Sequence, residues 1–165
     1  MKSRASLILA VFVFVLFAVA VFFRKLQRVK IHDIRSFSFI YTCGSFAFAE
    51  RCYRLTVKED IYVASFKDVG IPDTEMRNVH VGKDFARRLE EMLNRYKVTQ
   101  WDRFDKANRH VLDGNSFSLE IYDENGSSVS ARGYEKTPRK FEAVKKDIEA
   151  LFSEVFEENA TVDVK

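Results

Sequence analysis

The chain has 165 residues, with 27 Lys and Arg against 24 Asp and Glu, 16 Phe, and two cysteines. All 24 acidic residues follow position 30, whereas 6 of the basic ones precede position 31, so residues 31–165 carry 21 basic against 24 acidic groups, a net of −3. An acidic body offers no positive field to draw phosphates, which argues against a nucleic-acid partner, and two cysteines without a C-x-x-C spacing argue against a redox enzyme.

Leu7 to Phe23, LILAVFVFVLFAVAVFF, contains no charged, polar, Gly or Pro residue. As a helix it covers roughly 26 Å, close to the thickness of a bilayer core once Ala5 and Ser6 are added. The sequence therefore predicts a spanning helix, with the lipid bilayer as partner of Leu7 to Phe23. Lys2 and Arg4 flank one end, and Arg24, Lys25, Arg28 and Lys30 flank the other, where long basic side chains reach headgroups. A competing reading is a cleaved secretory signal with Ala18-Val19-Ala20 at the cleavage site; the apolar run continues through Phe23 and stops at Arg24, as at a stop-transfer boundary. A buried core helix is a third reading, opposed by the basic fences and the all-round apolar surface. The basic bias mildly favours a cytoplasmic C-terminal domain, while a short basic head also begins a signal anchor with an exported domain; the side stays open.

Residues 31–158 read as one α+β domain, with 1–30 as anchor and 159–165 as a flexible tail. Ile34 to Thr42 alternates Ile34, Ser36 and Ser38 with Arg35, Phe37, Phe39 and Tyr41, a strand with one aromatic face. Glu50 to Val57 and Ile61 to Phe66 read as the next strands, and Met76 to Val81 as a short fourth. From Asp84 to Tyr96 the period changes: Phe85, Leu89, Met92, Leu93 and Tyr96 share one helical face. Phe117, Leu119 and Ile121, then Val129, Ala131 and Gly133, give a hairpin. A three-residue loop, Glu124-Asn125-Gly126, predicts Ile121 opposite Val129, Leu119 opposite Ala131 and Phe117 opposite Gly133, with room for the Phe117 ring on the glycine backbone. Thr137-Pro138 reads as the start of a second helix. Its apolar side runs from Phe141 to Phe156, with Arg139 and Lys140 in the first turn and Glu154, Glu157 and Glu158 at the end, opposite to what the helix dipole favours. The expected fold class is α+β: an N-terminal transmembrane helix followed by an antiparallel sheet of about five strands with two amphipathic helices packed on one face.

The ordered string Trp101-x-x-Phe104, Leu112-Asp113-Gly114-x-x-Phe117-x-Leu119-x-Ile121, the Gly126 hairpin, Ala131-x-Gly133 and Pro138-x-x-Phe141 resembles a family of small uncharacterised domains found mainly in Clostridia-type bacteria. That family tends to have Gly between the Trp and the Phe, where this chain has Arg103. The resemblance implies a shared fold and carries no known activity, substrate or catalytic residue.

His32, His80 and His110 stand apart from one another and from the cysteines at no metal-ligand spacing, so no metal site is expected. Cys43 and Cys52 flank the first hairpin loop and could face each other across it: a disulfide if the domain is exported, two thiols in the cytoplasm. Asp113-Gly114 lies near Asp102, Asp105 and His110, yet Leu-Asp-Gly before a strand is an ordinary turn. Trp101 is expected to close one end of the core. No phosphate loop, nucleophile elbow or H-E-x-x-H string occurs, so no catalytic residue and no cofactor is expected.

The functional expectation is a single-pass cell-membrane protein whose domain is a membrane-tethered, non-catalytic binding or interaction module for a protein or envelope partner. The rival is a hydrolase or redox enzyme with a site assembled from distant residues such as His110 with Asp102, Asp105 or Asp113. Convergence of those groups in a concave pocket would favour the enzyme; a flat, aromatic-rimmed surface would favour the binding module.

Overall fold

The computed structural model describes residues 30–44, 50–108 and 110–160, and the domain considered below begins at Ile31. Strands β1 (Ile34–Thr42), β2 (Glu50–Lys58), β3 (Ile61–Lys67) and β4 (Arg77–Val81) are followed by helix α1 (Lys83–Tyr96). Then come β5 (Phe104–Ala107), β6 (Ser116–Asp123), β7 (Ser128–Tyr134) and helix α2 (Phe141–Ala160). The seven strands form one sheet in the order β4-β3-β2-β1-β6-β7-β5. All pairs are antiparallel except β5 with β7, which is parallel.

This corrects the expected fold class. The sheet is mixed and has seven strands, not about five antiparallel ones. The strand that makes it mixed, β5, is four residues long and reads Phe-Asp-Lys-Ala, too short and too polar to show a period; only its position beside β7 makes it a strand. The expected membrane-spanning helix is likewise not found: among the described residues no helix is long and apolar enough to cross a membrane, which gives a single-pass membrane placement no support. Leu7 to Phe23, and with it Lys2, Arg4, Arg24, Lys25 and Arg28, lies outside the described residues; Lys30 is described and exposed.

The alternation read along the strands becomes a two-faced sheet. Phe37 and Phe39 of β1, Tyr53 and Leu55 of β2, Ala64 of β3, Leu119 and Ile121 of β6, and Val129 and Ala131 of β7 are buried on the face that α1 and α2 cover. Each of the Phe, Leu, Ile and Val side chains among them, fully buried, is worth roughly 1.5–3 kcal/mol over leaving it in water. The other face carries Ser36, Ser38, Ser118 and Ser130, half-buried or exposed, as suits a sheet with one solvated side. Ile34 departs from the simple alternation. Grouped by parity with Ser36, it is nonetheless buried at 2% exposure, because the β1–β6 register shifts between Ile34 and Ser36 and a bulge resets which face the chain presents.

α1 buries Phe85, Ala86, Leu89, Met92 and Leu93. It takes the chain from β4 at one sheet edge toward β5 at the other, a crossing that a hairpin could not make. Lys97, at φ 59°, ends it with its N–H on the Asn94 and Leu93 carbonyls, a left-handed C-terminal cap. Trp101 follows, 4% exposed, with its ring 6.1 Å from that of Phe141 and 6.5 Å from that of Phe117, closing the core end as expected.

The β6–β7 hairpin has the register expected for a three-residue loop: Ile121 opposite Val129, Leu119 opposite Ala131 and Phe117 opposite Gly133. Gly126 is left-handed at φ 77°, and Asp123 holds the turn by accepting the Ser127 N–H at 2.7 Å. A Cβ on Gly133 would collide with the Lys136 carbonyl and the Phe117 ring, so only glycine lets that ring lie on the strand. Arg103, where the resembling family tends to have Gly, is left-handed at φ 61°.

The start of α2 differs from expectation. Pro138 does not open the helix; it sets a turn in which the Phe141 N–H reaches the Pro138 carbonyl at 3.2 Å, and Lys140 is left-handed at φ 68°. Phe141 fixes the start instead, its ring 4.6 Å from that of Phe117 and 5.9 Å from that of Phe39. Arg139 and Lys140 therefore precede the helix, and its first turn carries Glu142, which agrees with the dipole. The helix runs on to Ala160, beyond the expected tail boundary; 161–165 lie outside the described residues.

Candidate functional site

Among the clefts that open on the described surface, three can be judged by what their walls can do. One, of about 300 Å³, lies beside the first half of α1 and is lined by charged groups including Asp33, Arg35, Asp60 and Glu90. Glu90 has a structural task there, accepting the Ile34 N–H at 2.7 Å, and burial raises its pKa against the pull of that hydrogen bond. A second, of about 480 Å³, is the groove between the helices, bridged by Arg88–Glu154 and Arg95–Asp147 ion pairs over Met92 and Leu151.

The third, of about 380 Å³, is lined by Tyr53, Phe66, Phe152 and Phe156 among charged residues, and Tyr53, Phe152 and Phe156 are largely buried behind them. Its sheet side is a cross-strand row: Tyr53 of β2 stands opposite Phe66 of β3, and Phe66 opposite Arg77 of β4, so the three side chains share one face. Its helix side is set by the 3.6-residue period, which brings Glu149, Phe152, Ser153, Phe156 and Glu157 of α2 to the same stripe. The rings interlock: Tyr53 to Phe66 is 5.2 Å, Tyr53 to Phe152 5.3 Å in an edge-on arrangement, and Phe66 to Phe156 5.6 Å.

Charge sits on the rim. The Arg77 guanidinium lies 4.9 Å over the Phe156 ring and 5.8 Å over that of Phe66, and it donates to the Phe156 carbonyl at 3.3 Å. Arg51 donates to Asp68 at 2.8 Å and lies 3.7 Å from Glu149; the hydrogen bond to Asp68 raises its already high pKa. Burial, reinforced by the Glu149 carboxylate, pushes the Tyr53 phenol up to about 12, so it remains protonated at neutral pH. Among its described lining residues the cleft holds neither His nor Cys, and a phenol of that pKa is a hydrogen-bonding group rather than a base.

The residues named from sequence for an assembled enzyme site line none of these three clefts. Asp102 accepts the Ser130 N–H at 3.2 Å and lies 3.5 Å from Arg103. Asp105 is exposed on β5 opposite Arg132. His110 and Asp113 are exposed in the segment before β6, where Leu112-Asp113-Gly114 is the turn expected. The Tyr134 hydroxyl accepts the Gly114 N–H at 2.8 Å and reaches the Leu112 and Val111 carbonyls at 2.8 and 3.1 Å. Among the described residues no group of three His, Cys, Asp or Glu could hold a metal ion.

Cys43 and Cys52 are free thiols, the first exposed and the second buried. The β1–β2 register sets Cys52 opposite Ile40, three residues along the chain from Cys43, so the strands do not bring the two face to face. Burial raises the Cys52 pKa, which makes it unreactive.

Sequence reasoning did not find this cleft. Phe156 is legible as part of the apolar side of the second helix and Phe66 as the end of a strand, but Arg77 carries no signal of its own, and only the β3–β4 pairing sets it over their rings. No family model matches the chain, and no curated protein matches it.

Proposed function

We propose that the domain is a non-catalytic binding module and that the cleft between β2–β4 and α2 is where it binds. One observation carries this reading: a ligand-sized opening lined by four aromatic rings and five charged groups, with neither His nor Cys among its described lining residues. The groups a hydrolase would need, His110 with Asp102, Asp105 or Asp113, lie elsewhere. Asp102 is engaged in holding the β7 backbone, a structural task that leaves general acid–base work unsupported. The family resemblance, which implies a shared fold without an activity, adds no ligand.

Fragment screening of the full chain by two-dimensional NMR tests this. Saturable shifts of the Tyr53, Phe66, Arg77 and Phe156 amides, with the fragment recovered unchanged, are the expected outcome. Turnover of any fragment that is lost in His110→Ala or Asp102→Asn would instead establish the enzyme reading.

A further inference from the structure

The charge of α2 at its C-terminal end has a counterpart in the cleft. A helix end collects partial negative charge from its unpaired carbonyls and is ordinarily met there by basic side chains; the last turn of α2 carries none. Glu154 is tied to Arg88 on α1, whereas Glu157 stands exposed at the cleft. With Asp68 and Glu149 set around Arg51, the lining holds three carboxylates against two guanidiniums. The lining is thus net negative by one charge, and the buried rings of Tyr53, Phe152 and Phe156 and the half-buried ring of Phe66 lie behind it.

A cation already lies over two of those rings. The Phe66 and Phe156 rings incline at 47° to each other, and the Arg77 guanidinium lies over both. The side chain belongs to an exposed residue on an edge strand, held by the rings and by one hydrogen bond of 3.3 Å to a backbone carbonyl. Swinging into solvent would cost it that one hydrogen bond and would uncover the two ring faces it lies over.

We infer that the cleft accepts a weakly hydrated organic cation of the quaternary-ammonium type, with Arg77 as the internal occupant that the ligand displaces. This rests on the cleft being the binding site of the domain. Ring quadrupoles attract any cation, but a compact ammonium or a metal ion must first shed tightly held water, whereas a trimethylammonium group has little to shed and asks for no hydrogen bonds. Rings behind a net negative lining answer that chemistry. A trimethylated lysine side chain and a choline headgroup share it; with three carboxylates against two guanidiniums in the lining, and Arg51 already engaged by Asp68 and Glu149, the net negative charge favours the side chain, which brings no phosphate.

The test is calorimetric titration of the full chain with choline, its neutral carbon isostere 3,3-dimethylbutanol and the anion 3,3-dimethylbutanoate. A trimethyllysine peptide and phosphocholine serve as the two source arms. Choline binds, the isostere binds at least about tenfold more weakly, and Arg77→Ala tightens choline about tenfold, the change set by freeing ring faces from a stacked guanidinium. Glu157→Gln weakens choline, and the peptide outbinds phosphocholine. Arg77→Met, which keeps the apolar stem, repeats the measurement should Arg77→Ala unfold. If the neutral isostere binds as tightly as choline, or removal of the Arg77 charge leaves choline unaffected, the cation assignment is overturned while the cleft stands as a binding site. If none of the probes binds wild type or either variant, the cleft reading fails with it.

Discussion

Arg103→Gly should stabilise the domain, although it deletes a long charged side chain. Arg103 is held at φ 61° because its N–H must reach the Ser130 carbonyl at 2.8 Å, the bond that aligns β5 beside β7. A left-handed backbone at a residue with a Cβ costs about 1–2 kcal/mol. Glycine removes that strain but loses about 0.5–1 kcal/mol through the greater freedom of its unfolded chain. The side chain is 93% exposed and lies 3.5 Å from Asp102, an exposed pair worth at most a few tenths of a kcal/mol. The net gain is about 0.2–0.7 kcal/mol, which for a domain of this size raises the melting temperature by about 1–3 °C. Thermal and urea unfolding of the full chain measure it, with the urea slope unchanged. Arg103→Ala separates backbone from charge: it keeps the strain and loses the ion pair, so it should match or fall slightly below wild type. If the glycine variant is no more stable than the alanine variant, the left-handed geometry carries no cost and the reasoning is refuted.

Other outcomes follow from the same geometry. Gly133→Ala places a methyl group into the Lys136 carbonyl and the Phe117 ring; unfolding should show a loss of at least about 1–3 kcal/mol, the usual cost of overpacking, and Phe117→Leu should not restore it because the carbonyl remains. The Tyr53 phenol is raised to about 12 by burial and the nearby Glu149. The folded state therefore favours its neutral form: this contribution is fully present below the unfolded phenol value of about 10 and is lost as pH rises toward 12, on the order of 2 kcal/mol. Tyr53→Phe should flatten the alkaline limb of a stability–pH curve, and an unchanged limb counts against the burial. Tyr134→Phe removes the hydroxyl that gathers the Leu112-Asp113-Gly114 turn and should cost about 1–2 kcal/mol, with faster hydrogen exchange at the Gly114 amide; Leu112→Ser, at a 91% exposed position, should stay within about 0.5 kcal/mol of wild type. Thiol labelling of the native chain should consume Cys43 quickly and Cys52 only on unfolding; equal rates would contradict the burial of Cys52.

The sequence by itself determined what depends on neighbours along the chain. Period-2 alternation marks β1, β6 and β7 because one face of a strand must leave water, while β2 and β3 show as strand runs on either side of the polar tip at Lys58 to Asp60. The 3.6-residue stripes from Phe85 and from Phe141 mark two helices for the same reason. Even a pairing register was readable where a short turn couples two strands: Gly126 at its left-handed position sets Phe117 opposite Gly133. Other features depend on partners distant in sequence. β5 has too few residues and too little apolar contrast to announce itself, and it becomes a strand only because α1 delivers it to the free edge of β7. The bulge that turns Ile34 into the core arises from pairing with β6, and the aromatic cluster around Phe141, rather than Pro138, decides where α2 begins. The cleft is the extreme case. Tyr53, Phe66, Arg77 and Phe156 come from three strands and a helix, and a cation above two rings exists only once sheet order and helix packing have brought those four together.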